Sequence, residues 1–148
     1  MQIRSIGIML IALAFPCTAT AVLGETVESV QIDRARMKAT LRVVSGDKYT
    51  LHEIQAPSGT VVREYASPSG KVFAVAWEGP RLPDLRQVLG AYFEPYVEGA
   101  KAMRGGHGPV TIQAPELVVY SGGHMRAFFG TAYLPQMLPH GVTPKDIQ

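Results

Sequence analysis

Pro57-Ser58-Gly59-Thr60-Val61 recurs eleven residues later as Pro68-Ser69-Gly70-Lys71-Val72, and this echo decides how the chain folds. Proline presets φ for the first central position of a tight turn, and glycine takes the left-handed conformation that a three-residue hairpin loop requires. Each copy predicts a hairpin turn. The segments they separate, Tyr49 to Gln55, Val61 to Ala66 and Lys71 to Glu78, are rich in the β-branched and aromatic residues that strands favour. The expectation is an antiparallel meander of three strands. Alternation puts Phe73, Val75 and Trp77 on one face of the third strand and Val72, Ala74 and Ala76 on the other. Both faces are apolar, so that strand is expected at the centre of the sheet, covered on each side. On the second strand Val61, Arg63 and Tyr65 share one face and Val62, Glu64 and Ala66 the other, so Arg63 and Glu64 point in opposite directions and cannot pair.

Beyond Gly79-Pro80 the apolar period changes. Leu85, Val88, Leu89, Tyr92, Phe93 and Tyr96 form a helical stripe. Pro83 and Asp84 suit its start, and Pro95 is expected to end or kink it. A short second helical piece to about Met103 and a loop from Arg104 to Pro109 follow. Leu117 to Tyr120 and Met125 to Phe129 flank Ser121-Gly122-Gly123-His124, which reads as a second hairpin turning at the Gly-Gly pair. The tail from Tyr133 carries Pro135, Pro139 and Pro144 and is expected to lie extended along the surface or over a sheet edge. Before the meander, Thr26 to Val44 reads as a helix followed by a strand. The fold class is α+β: a meander plus a hairpin forming a sheet of about five strands, with one main amphipathic helix, Pro83 to Phe93, packed on it.

The first 21 residues carry an address. Arg4 precedes a short apolar run from Ile6 to Phe15, and Ala19-Thr20-Ala21 supplies a small-x-small cleavage site, the three parts of a signal peptide. The run is shorter than the roughly 20 residues a membrane helix needs. The expectation is an exported bacterial protein, periplasmic or extracellular, with no membrane span in its mature part, residues 22–148. Removing the leader takes away Cys17, the one cysteine, which excludes thiol catalysis, disulfides and cysteine-bound zinc. It also removes Arg4 from 14 basic residues set against 12 acidic ones, leaving a net charge of +1. No block of like charge exceeds two residues. Arg34, Arg36, Lys38 and Arg42 alternate as a solvated face does, so nucleic acid is not an expected partner. The 47% hydrophobic content excludes a disordered chain.

The chemistry available is sparse. His52, His107, His124 and His140 show no metal-ligand spacing, and no Gly-x-Ser-x-Gly elbow occurs, so neither metal nor cofactor is expected. Ser58 and Ser69 are turn residues. His52, Glu53, Arg63 and Glu64 fall on neighbouring strands near Tyr65 and Trp77, a set able to bind an anionic or polar ligand over an apolar Trp77 floor. The plainer alternative is a cross-strand salt bridge on a half-solvated face. His124 and Arg126, two residues apart, form a second candidate pair on one side of their strand. His52 or His124 is also the available general base if the protein is an enzyme.

These segments carry a family resemblance. Gly59-Thr60-Val61-Val62-Arg63-Glu64-Tyr65, Gly70 to Trp77, Pro83-Asp84-Leu85-Arg86 with Leu89-Gly90, and Ser121 to Phe128 resemble, in the same order, the bacterial exported family catalogued as domain of unknown function 2844. The resemblance covers nearly the whole mature chain and implies a small exported protein with no assigned activity, so it transfers no site residue. Size, the lack of a catalytic signature and the proline-containing tail point to a non-enzymatic binding or accessory module whose partner is an exported protein or envelope component. The alternatives are a small hydrolase and an inhibitor or chaperone-like accessory of another exported protein.

Overall fold

The computed structural model describes residues 22–103 and 108–148; residues 1–21, expected to be a signal peptide, and His107 with most of its loop lie outside the described residues. Helix α1 (Glu28–Arg36) leads into strands β1 (Thr40–Ser45), β2 (Thr50–Gln55), β3 (Val61–Ala66) and β4 (Val72–Gly79). Helices α2 (Leu85–Leu89) and α3 (Phe93–Ala102) follow, then β5 (Val110–Gln113), β6 (Val118–His124) and β7 (Ala127–Tyr133). All pairs are antiparallel, and the strands form one sheet of seven in the order β1-β2-β3-β4-β7-β6-β5. The expected five strands undercount by two: the strand read after the helix in Thr26 to Val44 is β1, paired with β2 but left out of that count, and β5 is too short, at four residues, for its periodicity to stand out.

The two proline turns fold alike. Gly59 and Gly70 take φ of 89° and 80°, and their amides donate to Ala56 and Ser67 carbonyls at 2.9 and 2.8 Å. β4 lies at the centre of the sheet, as its two apolar faces require. One detail of its alternation differs. Ala66 pairs with Val72 while Tyr65 pairs with Ala74, so Phe73 is an extra, bulged residue. The bulge turns Phe73 away from Val75 and Trp77 and into the opposite cluster with Tyr65, Ala74 and Ala76.

Two layers cover the sheet. On one face Val22, Leu23, Val30, Leu85, Val88 and Leu89 pack against Ile54, Val62, Val75 and Trp77. The helical stretch here is not one helix from Pro83 to Phe93. Gly90, at φ 56°, breaks it, and a 3-10 turn over residues 90–92 leads into α3. Pro95 then sits in the first turn of α3, where its missing amide costs nothing, and does not end the helix. The other face is covered by the tail, which crosses it through two 3-10 turns and buries Val142 and Ile147 against Phe73, Ala74 and Ala76. The tail therefore lies over a face and not over an edge. Among the described residues no helix is long and apolar enough to cross a membrane.

The last hairpin turns three residues later than its Gly-Gly pair indicates. His124 pairs with Ala127 across Met125 and Arg126, and Arg126 takes φ 68°. Gly122 and Gly123 are strand residues with their own reasons to lack a side chain. A Cβ on Gly122 would lie 3.0 Å from the Phe129 ring, and Gly123 holds φ 122° beside the Ala127 carbonyl.

Candidate functional site

Strand alternation divides the polar set in two. Facing the tail, Glu53 stands opposite Arg63 in the β2–β3 register. The Arg63 guanidinium donates through Nε to Glu53 at 3.0 Å and through an Nη to Glu78 at 2.8 Å. Burial lowers the Arg63 pKa, but hydrogen bonds to Glu78 and Glu53 outweigh it, so its pKa is raised overall and it stays charged. This is the cross-strand salt bridge the sequence allows, extended to a third strand. Beside it the Tyr65 hydroxyl donates to the Gln148 carbonyl at 2.9 Å and accepts from the Gln148 amide at 3.0 Å, pinning the tail. Tyr49, Leu51, Arg63, Tyr65, Lys145 and Gln148 line an open groove here of about 530 Å³.

His52, Glu64 and Trp77 face the helices. Trp77 is buried in the core against Gly130, where a Cβ would collide with the indole, so it floors no open site. Glu64, directly opposite His52 in register, is fully buried, and neither carboxylate oxygen has a hydrogen-bond partner among the described residues. Burial, reinforced by the charge of Asp33, pushes the Glu64 carboxyl well above its usual range. Asp33 projects from α1 into the same layer. Its Oδ1 accepts from Gln87 Nε2 of α2 at 2.7 Å, yet burial still raises its pKa to about 6. Burial lowers the His52 pKa and keeps the ring neutral, only partly opposed by its contact with the Glu64 backbone. Two buried acids and a neutral imidazole thus lie between α1, α2 and the sheet. Protonating the two acids removes their charge and so lowers the cost of burying them.

Asp33 was not among the candidates from sequence. Its signal is its spacing, because Val30, Asp33 and Met37 follow the i, i+3, i+7 rhythm of an inward stripe, and Val30 and Asp33 are the buried residues of α1.

His124 and Arg126 do not share a strand side. His124 ends β6, Arg126 occupies the turn, and both are exposed. Glu78, Arg126 and Phe129 border a shallow groove of about 410 Å³ beside them. Four strand-to-strand steps separate β2 from β6, about 19 Å across the sheet, and His124 also lies five residues along β6 from Val119, which shares a cross-strand row with His52. Among the described residues no group of three or more His, Cys, Asp or Glu is placed to hold a metal ion.

The sequence reading also passed over the outer edge of the sheet. β1 is solvent-exposed along nearly its whole length, with Val43 and Val44 at 51% and 42% exposure. At its hairpin end Val44, Lys48, Tyr49 and Leu51 line a groove of about 390 Å³. Edge amides and carbonyls plus a side-chain groove are what strand addition uses.

A family model described as a protein of unknown function, DUF2844, matches residues 19–147. The chain belongs to that family. No curated protein and no solved structure matches this DUF2844 member. The match spans both faces of the sheet, so the buried acids, the Arg63 ladder and the β1 edge all fall within the family's extent.

Proposed function

We propose that the protein is an exported, non-enzymatic module of the cell envelope that binds a protein partner by adding that partner's strand to β1. One observation carries this reading: a six-residue edge strand lies open to solvent along its length. An edge of this kind is a template for another chain unless a protein covers or blunts it. The two histidines available as general base support the same reading. They stand far apart, and neither lines the grooves described above. An inhibitor or chaperone-like accessory would use the same edge.

The test is a pull-down from the envelope fraction of the source bacterium, followed by amide hydrogen exchange on the recovered complex. The expected result is slowed exchange within residues 40–45 and weaker capture by the Val43→Lys, Val44→Lys double variant. Protection confined to the tail-side groove or the β6–β7 hairpin, with β1 unchanged, overturns the strand-addition reading.

A further inference from the structure

The β1 edge is asymmetric in chemistry as well as exposed, and resting on the strand-addition reading this narrows the partner. Arg42 stands opposite Glu53 and Val44 opposite Leu51, so Arg42 and Val44 share the tail-side face of the sheet. Glu53 is already engaged by Arg63 at 3.0 Å, and Arg42 makes no ion pair among the described residues. Two residues on, Val44 forms one wall of the groove floored by Tyr49 and Leu51, with Lys48 on its rim. A strand laid along β1 places its own alternate side chains on that same face. One of them meets Arg42, and the next of them, two residues along, enters the groove beside Val44. We propose that β1 accepts an extended peptide with an acidic residue opposite Arg42 and a bulky apolar residue two positions away opposite Val44.

Charge complementarity favours this occupant over a second copy of the chain. A two-fold axis that continues the sheet must keep each face on its own side, so Arg42 pairs only with even-numbered residues of the other β1. Centring the axis on residue 42 sets the two Arg42 side chains directly opposite each other. Centring it on Val43 sets each Arg42 opposite Val44 of the other copy and puts the two Arg42 side chains on the diagonal, with no acid to pair either. Like charges directly opposite are destabilising, and an acidic strand removes that conflict in either direction of approach.

The experiment is an NMR titration of the isotopically labelled protein with the synthetic peptide Thr-Val-Glu-Val-Phe-Val-Thr and three relatives. In these Glu is replaced by Gln or Lys, or Phe by Ala. Shifts confined to residues 38–51 are expected, with affinity falling about tenfold from Glu to Lys and at least threefold from Phe to Ala. Arg42→Glu, a surface change whose fold is checked by circular dichroism, should reverse the preference and favour the Lys peptide. Binding at β1 that ignores the acidic position and survives Arg42→Glu unchanged overturns the acidic partner but leaves strand addition standing. If all four peptides fail to bind, or their shifts map away from β1, the proposed site is wrong. Concentration-dependent dimerisation that protects the β1 amides without peptide would instead assign the edge to a second copy.

Discussion

Asp33→Asn should remove a specific part of the protein's pH dependence. The Asp33 carboxyl is 1% exposed and titrates at about 6, against 3.8 when free. Because the folded state holds this proton more tightly, the unfolded chain ionises first as pH rises. The folded state then carries the extra proton between those two values, and stability must fall with pH across that window. The stabilisation is complete below pH 3.8 and gone above about 6. At about 1.4 kcal/mol per pH unit the loss comes to about 2–3 kcal/mol. Asparagine keeps the acceptor for Gln87 and never ionises. Urea midpoints of wild type and variant, taken every half unit from pH 4 to 8, should lie close together at pH 4 and diverge by about 2 kcal/mol in the variant's favour by pH 7.5. His52 works in the opposite sense, since its lowered pKa gives stability that is present above 6.5 and lost as pH falls. Subtracting one protein's curve from the other's cancels that contribution. A difference that stays flat across pH 4 to 7.5 would refute the buried-acid reasoning, as would wild-type stability that falls faster than the variant's only below pH 4. Glu64→Gln should show the same sign, because burial raises the Glu64 carboxyl as well.

Gly130→Ala drives a methyl group into the Trp77 indole and to 2.8 Å from the Tyr120 carbonyl, and should cost about 1–3 kcal/mol with a shift in Trp77 fluorescence. Arg126→Gly relieves a positive φ of 68° at the hairpin turn and should raise the urea midpoint by the equivalent of up to about 1 kcal/mol, the glycine's added chain entropy offsetting the rest. A double-mutant cycle on Arg63→Ala and Glu53→Ala should return a coupling of about 1 kcal/mol, because both side chains keep roughly a quarter of their surface in water.

How much of this was legible depends on whether the determining chemistry was local. The Pro-Ser-Gly turns announce themselves because proline and glycine act within four residues. The central place of β4 follows from six consecutive buried residues, Val72 to Trp77. Phe73's face does not, because the bulge is set by how Ala66 pairs with Val72 across the turn. Gly122 looks like turn chemistry until the Phe129 ring is seen in the space its side chain would fill. The candidate set was split correctly at Arg63 and Glu64, yet alternation applies equally to His52 and Glu53, and it sends those neighbours to different layers. Asp33 escaped notice because an acid in a helix rich in charge reads as solvated. Only the arrival of α2 with Gln87 encloses it.

The two edges of the sheet are treated unequally, and that inequality bears on function more than either edge alone. β5 is four residues long and lies under α3, where Gly99 comes so close to Ile112 that a Cβ would sit 2.6 Å from its Cδ1. Short length and a covering helix are two of the ways proteins guard an edge. β1 has neither: it runs six residues, α1 packs on the sheet face and not over the edge, and beside it the tail's Gly141 carbonyl accepts from Lys48 of the β1–β2 turn at 2.7 Å. Arg42 alone can blunt pairing, since a charge in mid-edge discourages a like strand. That defence is selective, because it repels a second basic β1 while attracting an acidic strand. If Arg42 serves only as a guard, Arg42→Val should make the protein self-associate and do nothing else. If it also selects, the same variant should lose its preference for the Glu peptide over the Lys peptide while still binding both.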